Sequence, residues 1–451
     1  MSLRRWRTVA VVAMLVAATA VAASPAHGQL RAITLTAPEL AVGSRAPQAE
    51  PDGKPDDSPG ATWEFKKRPR LRIGRDTHID LTAKLQVDMR TFSPEPLEVP
   101  DSVEAPFQRL GVEGQVTRFV EFELEREFSE SEWRAAFVNV RPLAAVQVQG
   151  GHFKVPFSRE RLRGGSHLDF VERPVAVKVL APGYDTGVMV HGRLLGRMLE
   201  YAAGGFEGRY DRDPLDTDIE NPWVGDGLLW AGRVVVRPLR DGSMPGWLDR
   251  LEGGFNATRS EVDEGLNSWR GRAVYRQVYF EPVYVRGRRL RMGTDGEVGG
   301  PRFALQGEYL WGTDERLGQG LEDDDLPELR AEGWYVQGAF VVTRDRKRQI
   351  EDPERPLFRG GIGGLEVAAR VERLGFGSGD GSVEPPLRHR RAANVRGNTD
   401  SGLTFGVNWY PNRYVRVQVN AVRESFEDGQ QTLLPGTRTF WAYVVRLQFA
   451  M

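Results

Sequence analysis

Apolar and polar side chains take turns along much of this chain. In the run 439–449, Trp441, Tyr443, Val445, Leu447 and Phe449 fall on one face, and Ala442, Val444, Arg446 and Gln448 on the other. A β-strand sends successive side chains to opposite sides, so the run predicts a strand with one aromatic, oily face and one polar face. The pattern recurs. Leu403, Phe405, Val407 and Trp409 oppose Thr404, Gly406 and Asn408; Val415, Val417, Val419 and Ala421 oppose Arg416, Gln418 and Asn420. Trp334, Val336, Gly338, Phe340 and Val342 oppose Tyr335, Gln337 and Ala339. Strands are predicted near 71–91 (one strand, or two joined near Asp76), 114–127, 132–140, 144–153, 186–194, 197–207, 228–238, 250–260, 269–280, 282–291, 301–312, 331–343, 361–374, 401–410, 413–424 and 438–449.

No segment after the N-terminus reaches the roughly 20 apolar residues that a membrane-spanning helix needs. Lipid cannot satisfy open backbone groups, so strands with one oily face can cross a bilayer only as a closed barrel. The pattern therefore predicts an all-β protein: a transmembrane antiparallel β-barrel of 16 strands, with 14 or 18 as alternatives. A soluble sandwich also alternates, but its apolar face meets a second sheet and it seldom takes so many strands in one unit. Polar stretches at 211–226, 313–329, 343–358 and 375–400 read as long loops; Pro142, Gly196 and Pro411-Asn412 read as tight turns. Long loops at one end and short turns at the other are the habit of outer-membrane barrels. The count as written puts the 153–185 stretch at the short-turn end, which means that one strand between 71 and 150 is wrongly split or merged.

The N-terminus changes the setting. Arg4, Arg5 and Arg7 precede an apolar run from Val9 to Ala23, and Ser24-Pro25-Ala26 supplies small residues at cleavage spacing. This is the pattern of a secretory signal peptide, residues 1–26, cut near Ala26. Residues 27–64, rich in Pro, Ala, Asp and Gly, read as a flexible periplasmic lead-in. Residues 65–451 are then the barrel.

Composition removes several functions. The chain has no cysteine, which excludes a disulfide scaffold, thiolate metal sites and a cysteine nucleophile. Its 51 Gly suit tight turns, and its 11 Trp, 11 Tyr and 21 Phe suit interfacial girdles. There are 61 basic and 62 acidic residues, a balance that gives no sign of nucleic-acid binding. Only seven of the basic residues are Lys. Arg grips oxyanions with a planar fork, although a GC-rich genome would give the same excess. The six His have no metal-ligand spacing. Ser158 and Ser166 lie near His152 and His167, but nothing supplies the oriented third group of a hydrolase. Gly360-Gly361-Ile362-Gly363-Gly364 opens a strand rather than a helix, so it is no phosphate-cradling loop. The sequence thus predicts no enzyme, no metal and no cofactor.

Candidate pore chemistry begins at the stretch Gly150-Gly151-His152-Phe153-Lys154-Val155-Pro156-Phe157-Ser158-Arg159-Glu160-Arg161-Leu162-Arg163, followed by Asp169-Phe170-Val171-Glu172-Arg173-Pro174. A strand runs here into a long basic loop, with a short helical turn over 158–162 that Ser158 can cap. Folded into the lumen, the 153–185 loop would narrow it; a solvated surface loop is the alternative.

In this stretch the chain resembles the phosphate-selective porins O and P. Gly-x-Phe-Lys-x-Pro-Phe, Ser-Arg-Glu and Phe-x-Glu-Arg-Pro look like that family's third-loop region, and Thr186-Gly187-Val188-Met189-Val190-His191-Gly192 looks like the strand after it. Leu403-Thr404-Phe405-Gly406-Val407-Asn408-Trp409-Tyr410-Pro411-Asn412, running into Tyr414-Val415-Arg416-Val417, is similar to its closing hairpin. The resemblance spans roughly 65–451. It implies a 16-stranded outer-membrane barrel, usually trimeric, that passes phosphate or related anions. One departure is that the last aromatic, Phe449, is followed by Ala450-Met451, whereas a terminal aromatic is the usual assembly signal.

The resulting expectation is a porin of a Gram-negative-type outer membrane, a homotrimer in contact with lipid and lipopolysaccharide, through which small inorganic anions diffuse. Lys154, Arg159, Arg161, Arg163 and Arg173 on the loop, with Arg233, Arg237, Arg370, Arg416 and Arg446 on the wall, are the candidate anion-binding residues. Alternation also turns Glu121, Glu123, Glu125, Glu308, Glu366 and Glu372 inward, and acids near a constriction would repel anions unless they lie beyond a Debye length of about 8 Å. A general diffusion porin with little charge preference, and a plugged structural or adhesive barrel, are therefore the alternative readings. The clusters Arg286/Arg288/Arg289/Arg291 and Arg388/His389/Arg390/Arg391 read equally as a mouth that draws anions or as a solvated rim or contact with lipopolysaccharide phosphates. Glu322-Asp323-Asp324-Asp325 reads as a solvated loop, since it lacks the alternate spacing and turn Gly of a calcium loop.

Overall fold

The computed structural model describes residues 61–451 apart from 66, 95–100, 209–227, 239–245, 275–277, 380–393 and 433. The predicted signal peptide, nearly all of the lead-in, the 211–226 loop and the cluster Arg388–Arg391 lie outside the described residues. In chain order the strands are β1 (Ala61–Phe65), β2 (Pro69–Ile73), β3 (Thr77–Ser93), β4 (Ser102–Thr117), β5 (Val120–Glu127), β6 (Glu132–Leu143), β7 (Val146–Lys154), β8 (Tyr184–Leu194), β9 (Leu199–Phe206), β10 (Leu229–Val236), β11 (Arg250–Leu266), β12 (Gly271–Arg272), β13 (Val278–Phe280), β14 (Tyr284–Gly299), β15 (Phe303–Arg316), β16 (Leu326–Val341), β17 (Gly364–Ser378), β18 (Asn398–Tyr410), β19 (Val415–Phe426) and β20 (Thr439–Ala450).

From β3 onward each long strand pairs antiparallel with the next, β11 passing directly to β14. The sheet closes where β20 pairs with β3, from Trp441↔Ser93 to Ala450↔Lys84. The result is a closed barrel of 16 antiparallel strands. Closure leaves no open edge, which is what lets a sheet sit in lipid. The alternation holds along most of the wall, interrupted by register shifts such as those at Gln86/Asp88, Val262/Gly265 and Arg286/Arg289. On β16, Trp334, Val336 and Phe340 are exposed while Tyr335, Gln337 and Ala339 are buried. On β20, Tyr443 and Phe449 face out, Trp441 stacks on Tyr443 at 6.1 Å, and Val444, Arg446 and Gln448 face in.

The count of 16 agrees with the sequence, but two boundary errors cancel in it. The predicted strand 114–127 is really two, β4 and β5, turning at Arg118–Phe119. The chain reverses with Phe119 donating to Thr117 Oγ1 at 3.2 Å, and no Gly or Pro marks the spot. This is the merged strand behind the parity conflict. Conversely, 269–280 is no barrel strand. Among the described residues it holds the small β12–β13 hairpin, and the loop between β11 and β14 folds inward, burying Trp269, Val274, Tyr279 and Phe280. Its alternation was that of a packed loop.

We call the end where β3 starts and β20 finishes the lower end. Turns there are short at 118–119, 144–145, 195–198 and 411–414. Pro142 lies in the end of β6 rather than in the turn, whereas Gly196 sits in its turn at φ 63°. One of the predicted long loops, 343–358, belongs to the stretch 342–363 between β16 and β17 and so emerges at the lower end, not at the long-loop end. The predicted loop 313–329 shrinks to 317–325, because β15 and β16 extend into it. Ahead of the barrel, β1 and β2 form a hairpin whose second strand pairs with the first residues of β3. Arg70 makes two bonds to Asp80, at 2.5 and 2.7 Å. Ala450-Met451 after the last aromatic are also held: Ala450 N donates to Tyr414 O and Met451 N to Ala83 O, both at 2.9 Å.

A constriction loop held by the barrel wall

The chain leaves the wall after Lys154 and returns at Tyr184. Between them it makes the short helices α1 (Arg159–Leu162) and α2 (Val175–Leu180). Ser158 caps α1, its Oγ accepting from Arg161 N at 3.2 Å. Val155, Phe157, Phe170, Val175, Ala176, Val177 and Leu180 are each 2 % exposed or less, so the loop lies inside the barrel and packs there as a small core. The inner surface is therefore not wetted everywhere, as simple alternation implies. On one side it is dry.

That side is the arc β14–β20 with β3. Its inward side chains serve the backbone of the loop. Glu308 accepts from Glu160 N (2.5 Å), Asn420 from Val171 N (2.8 Å) and Glu372 from Val175 N (2.6 Å). Asn408 donates to Asp169 O (2.8 Å), Arg370 to Glu172 O (2.8 Å), Gln448 to Ser166 O (3.0 Å) and Arg446 to Val171 O (3.1 Å). A loop brought out of water must find partners for its N–H and C=O groups, and here strand side chains supply them. A second tie comes from the lower end, where Lys347 Nζ reaches Asp169 and Glu366, each at 2.6 Å. His167 Nδ1 lies 2.8 Å from Glu351. Burial pushes the Glu351 carboxyl up, but the His167 charge and hydrogen bond outweigh it and hold the group at about 2. Lys347, penalised by burial, is raised on balance by Asp169 and Glu366.

The opposite arc, β4–β9, is only partly covered: Ala135, Phe137, Phe153, Met189, Ala202 and Phe206 join the buried apolar cluster, and Glu125, Glu127, Asn139, Gln149 and Glu200 are buried. Glu113, Gln115, Glu121, Glu123, Arg141, Gln147, His191 and Arg193 keep partial exposure inside the barrel. This is the more open of the two arcs.

The ten basic residues singled out from sequence separate into two groups. Seven are committed to structure. Arg159 is paired with Glu252 and with Glu297 (2.8 Å), Arg163 with Asp169 (3.2 Å) and Arg233 bidentately with Asp295 (2.5 and 2.8 Å). Arg237 bridges Glu252 (2.8 Å) and Glu200 (3.0 Å), Arg370 binds Glu372 (2.9 Å) and Arg446 grips Asp88 (2.6 and 2.8 Å). Arg416 donates to Ser166 O at 3.2 Å and lies 4.8 Å over the Tyr410 ring. The other three gather at the loop's entry. Lys154 donates to Leu162 O (3.0 Å) and Arg163 O (2.7 Å), and Arg173 to Glu160 O and to Arg163 O (2.8 Å). Neither has a carboxylate partner among the described residues. Arg161, whose Nε donates to Pro182 O at 3.2 Å, stands beside them. Burial and the neighbouring Arg161 charge push the Arg173 guanidinium down to about 10. Positive charges are crowded here.

Sequence reasoning missed Lys84 and Arg109, which sit on the same side bound to Glu125 and Glu127. Lys84 shares the inward parity of Gln86 and Asp88, so alternation along β3 carried the signal; Arg109 lay in the strand that was not recognised. Lys347 had no signal, since a loop at the lower end gives no hint that it enters the lumen. The Arg286–Arg291 cluster divides by parity: Arg289, bound to Asp314 at 2.6 Å, and Arg291 are buried inward, while Arg286 and Arg288 are exposed outward. Glu322–Asp325 lies in the 317–325 loop, where Asp325 accepts from Gly318 N.

No curated protein matches the sequence. Among solved structures the fold is similar to OmpT of Vibrio cholerae, an outer membrane protein. The in-vitro folded form gives a TM-score of 0.52 at 10% identity over 83% of this chain and 98% of that one. The outer-membrane expressed form gives 0.50 at 11% identity, over 84% and 99%. The outer membrane channel DcaP of Acinetobacter baumannii aligns over 83% and 98% at 10% identity, with a TM-score of 0.49. The family model "Phosphate-selective porin O and P" matches residues 79–219 and 284–451. With a closed 16-stranded barrel and that match over most of its length, the chain belongs to the phosphate-selective porin O and P family of outer-membrane porins.

Proposed function

We propose that this porin passes small anions by passive diffusion, phosphate first among them, through a water-filled path between the inward loop and the β4–β9 arc. One observation carries the reading: Lys154 and Arg173 spend their donors on backbone carbonyls, so their charges remain available to a passing ion. Unpaired cations in a narrow, partly dry place raise the local concentration of anions. They bind weakly enough to release, as conduction requires. The other predicted wall residues then act as scaffold rather than as binding groups. No step of chemistry is involved, and the protein is a channel and not an enzyme.

The rest of the reading follows from the family. The chain is exported by residues 1–26, assembles as a homotrimer, and contacts lipid and lipopolysaccharide in a Gram-negative-type outer membrane. The lower end faces the periplasm, where such barrels keep most of their short turns. Reversal potential in a KCl gradient across a planar bilayer tests the selectivity. An anion-leaning value supports it and a cation-leaning value overturns it. A general diffusion porin is the second reading, favoured by the ion pairing of six of the ten candidate basic residues; it predicts a reversal potential near zero.

A further inference from the structure

A fixed ion pair presents a dipole, whose field dies away quickly, whereas a lone charge keeps its full field within a Debye length of about 8 Å. Charge preference at the constriction should therefore follow from the groups that lack an opposite partner. Along the open arc most inward carboxylates are covered. Glu113 meets Arg68, Glu121 meets Arg141 (2.6 Å) and Glu125 meets Lys84 (2.5 Å) and Arg109 (3.4 Å). Glu127 meets Arg109 (2.6 Å), and Glu200 meets Arg237 (3.0 Å). Glu123 is the exception: it makes no ion pair and no side-chain hydrogen bond among the described residues, and it keeps partial exposure to the lumen. It lies within electrostatic reach of Lys84 on β3, Glu113 on β4, Glu125 on its own strand and Lys154 at the loop entry. Lys84 is already held by Glu125.

We propose that Glu123 is a selectivity-determining residue of this channel. It is an acid without an opposite partner, within electrostatic reach of Lys154, that when ionised sets an upper limit on anion preference. The inference rests on the channel reading and deepens it. With Lys154 and Arg173 lacking a carboxylate partner and Glu123 lacking a cation, an entering anion is both drawn and repelled near the loop entry. The pore is then a moderated anion channel rather than a strict one. The carboxylate has no structural duty to keep it there, since no backbone group and no cation depends on it.

The test is the chloride-to-potassium permeability ratio of single channels in a KCl gradient. Glu123→Gln, close in shape, should raise the ratio about threefold, the size expected for one unit charge several ångströms from the path at an effective dielectric between those of protein and water. Glu123→Lys should raise it further, and Glu123→Asp should keep the native ratio. Glu354→Gln, on an exposed part of the lower loop, should leave it unchanged. Gel mobility with and without heating reports folding of each variant. A folded, conducting Glu123→Gln channel whose ratio equals that of the native protein overturns the proposal. The native ratio tests the anion reading separately: a cation-leaning native channel in which Glu123→Gln still shifts the ratio would sink that reading and leave the role of Glu123 standing.

Discussion

The two arcs of the barrel wall obey the same alternation and put it to different uses. On β14–β20 and β3, inward Asn, Gln, Arg and Glu side chains are buried under the loop and complete its backbone hydrogen bonds. On β4–β9, Glu113, Gln115, Glu121, Glu123 and Gln147 keep partial exposure, although Glu125, Glu127, Asn139, Gln149 and Glu200 are buried. A polar residue facing inward is therefore not by itself a pore residue. What decides is whether a loop covers it.

The sharpest break in that comparison is removal of the loop. Replacing 158–181 by a short Gly/Ser link should leave the barrel closed, raise single-channel conductance severalfold and abolish charge preference. A conductance unchanged by the deletion would show that the ion path does not pass the loop.

A stability contrast comes next. Asp88→Ala strips the bidentate partner from Arg446 and also removes a contact of Arg90, both buried. Leaving a buried charge unpaired costs about 3–5 kcal/mol. Glu121→Ala on the open arc breaks a wetter pair with Arg141 and should cost about 1 kcal/mol or less. Urea unfolding in detergent micelles measures both, and equal costs would erase the distinction between the arcs.

The lipid side offers a check of similar size. Val419 faces outward opposite Val407 and Val445, between the aromatic levels of Tyr443 and Phe449. Val419→Arg should destabilise by about 2–4 kcal/mol, the cost of a cation near the bilayer midplane. Asn420→Ala should cost less, about 1–3 kcal/mol, by leaving Val171 N buried without its acceptor. Its clearer signature is added open-channel noise as the loop loosens.

The smallest effect concerns pH. The Glu351 carboxyl is depressed to about 2 by His167, against the pull of burial. A depressed carboxylate contributes its stabilisation above the ordinary carboxylate range and loses it as pH falls toward the folded value. Contact between the lower loop and the constriction loop should thus weaken between about pH 4 and 2, seen as growing current noise. Glu351→Gln should remove that dependence.

Much of the fold was legible because a two-residue period survives in most long strands, as in β16, β18, β19 and β20. The lapses have local causes. The β4–β5 turn carries Arg118-Phe119 instead of turn residues, and the loop before β14 alternates because it is packed on both sides. The site was legible only as a list. Sequence parity turned Arg233 and Arg446 inward correctly, yet their partners Asp295 and Asp88 lie 62 and 358 residues away. Which cation is spent on scaffold depends on that long-range pairing, and no local pattern encodes it.

The most direct test of the central claim uses the absence of native cysteine. Gln147→Cys on the open arc and Gln418→Cys on the covered arc would each be exposed to a charged, water-soluble thiol reagent during single-channel recording. The covered site should stay unreacted and conducting normally, while reagent at residue 147 should step the current down. Equal reaction at the two positions would contradict a lumen that is dry on one side and open on the other.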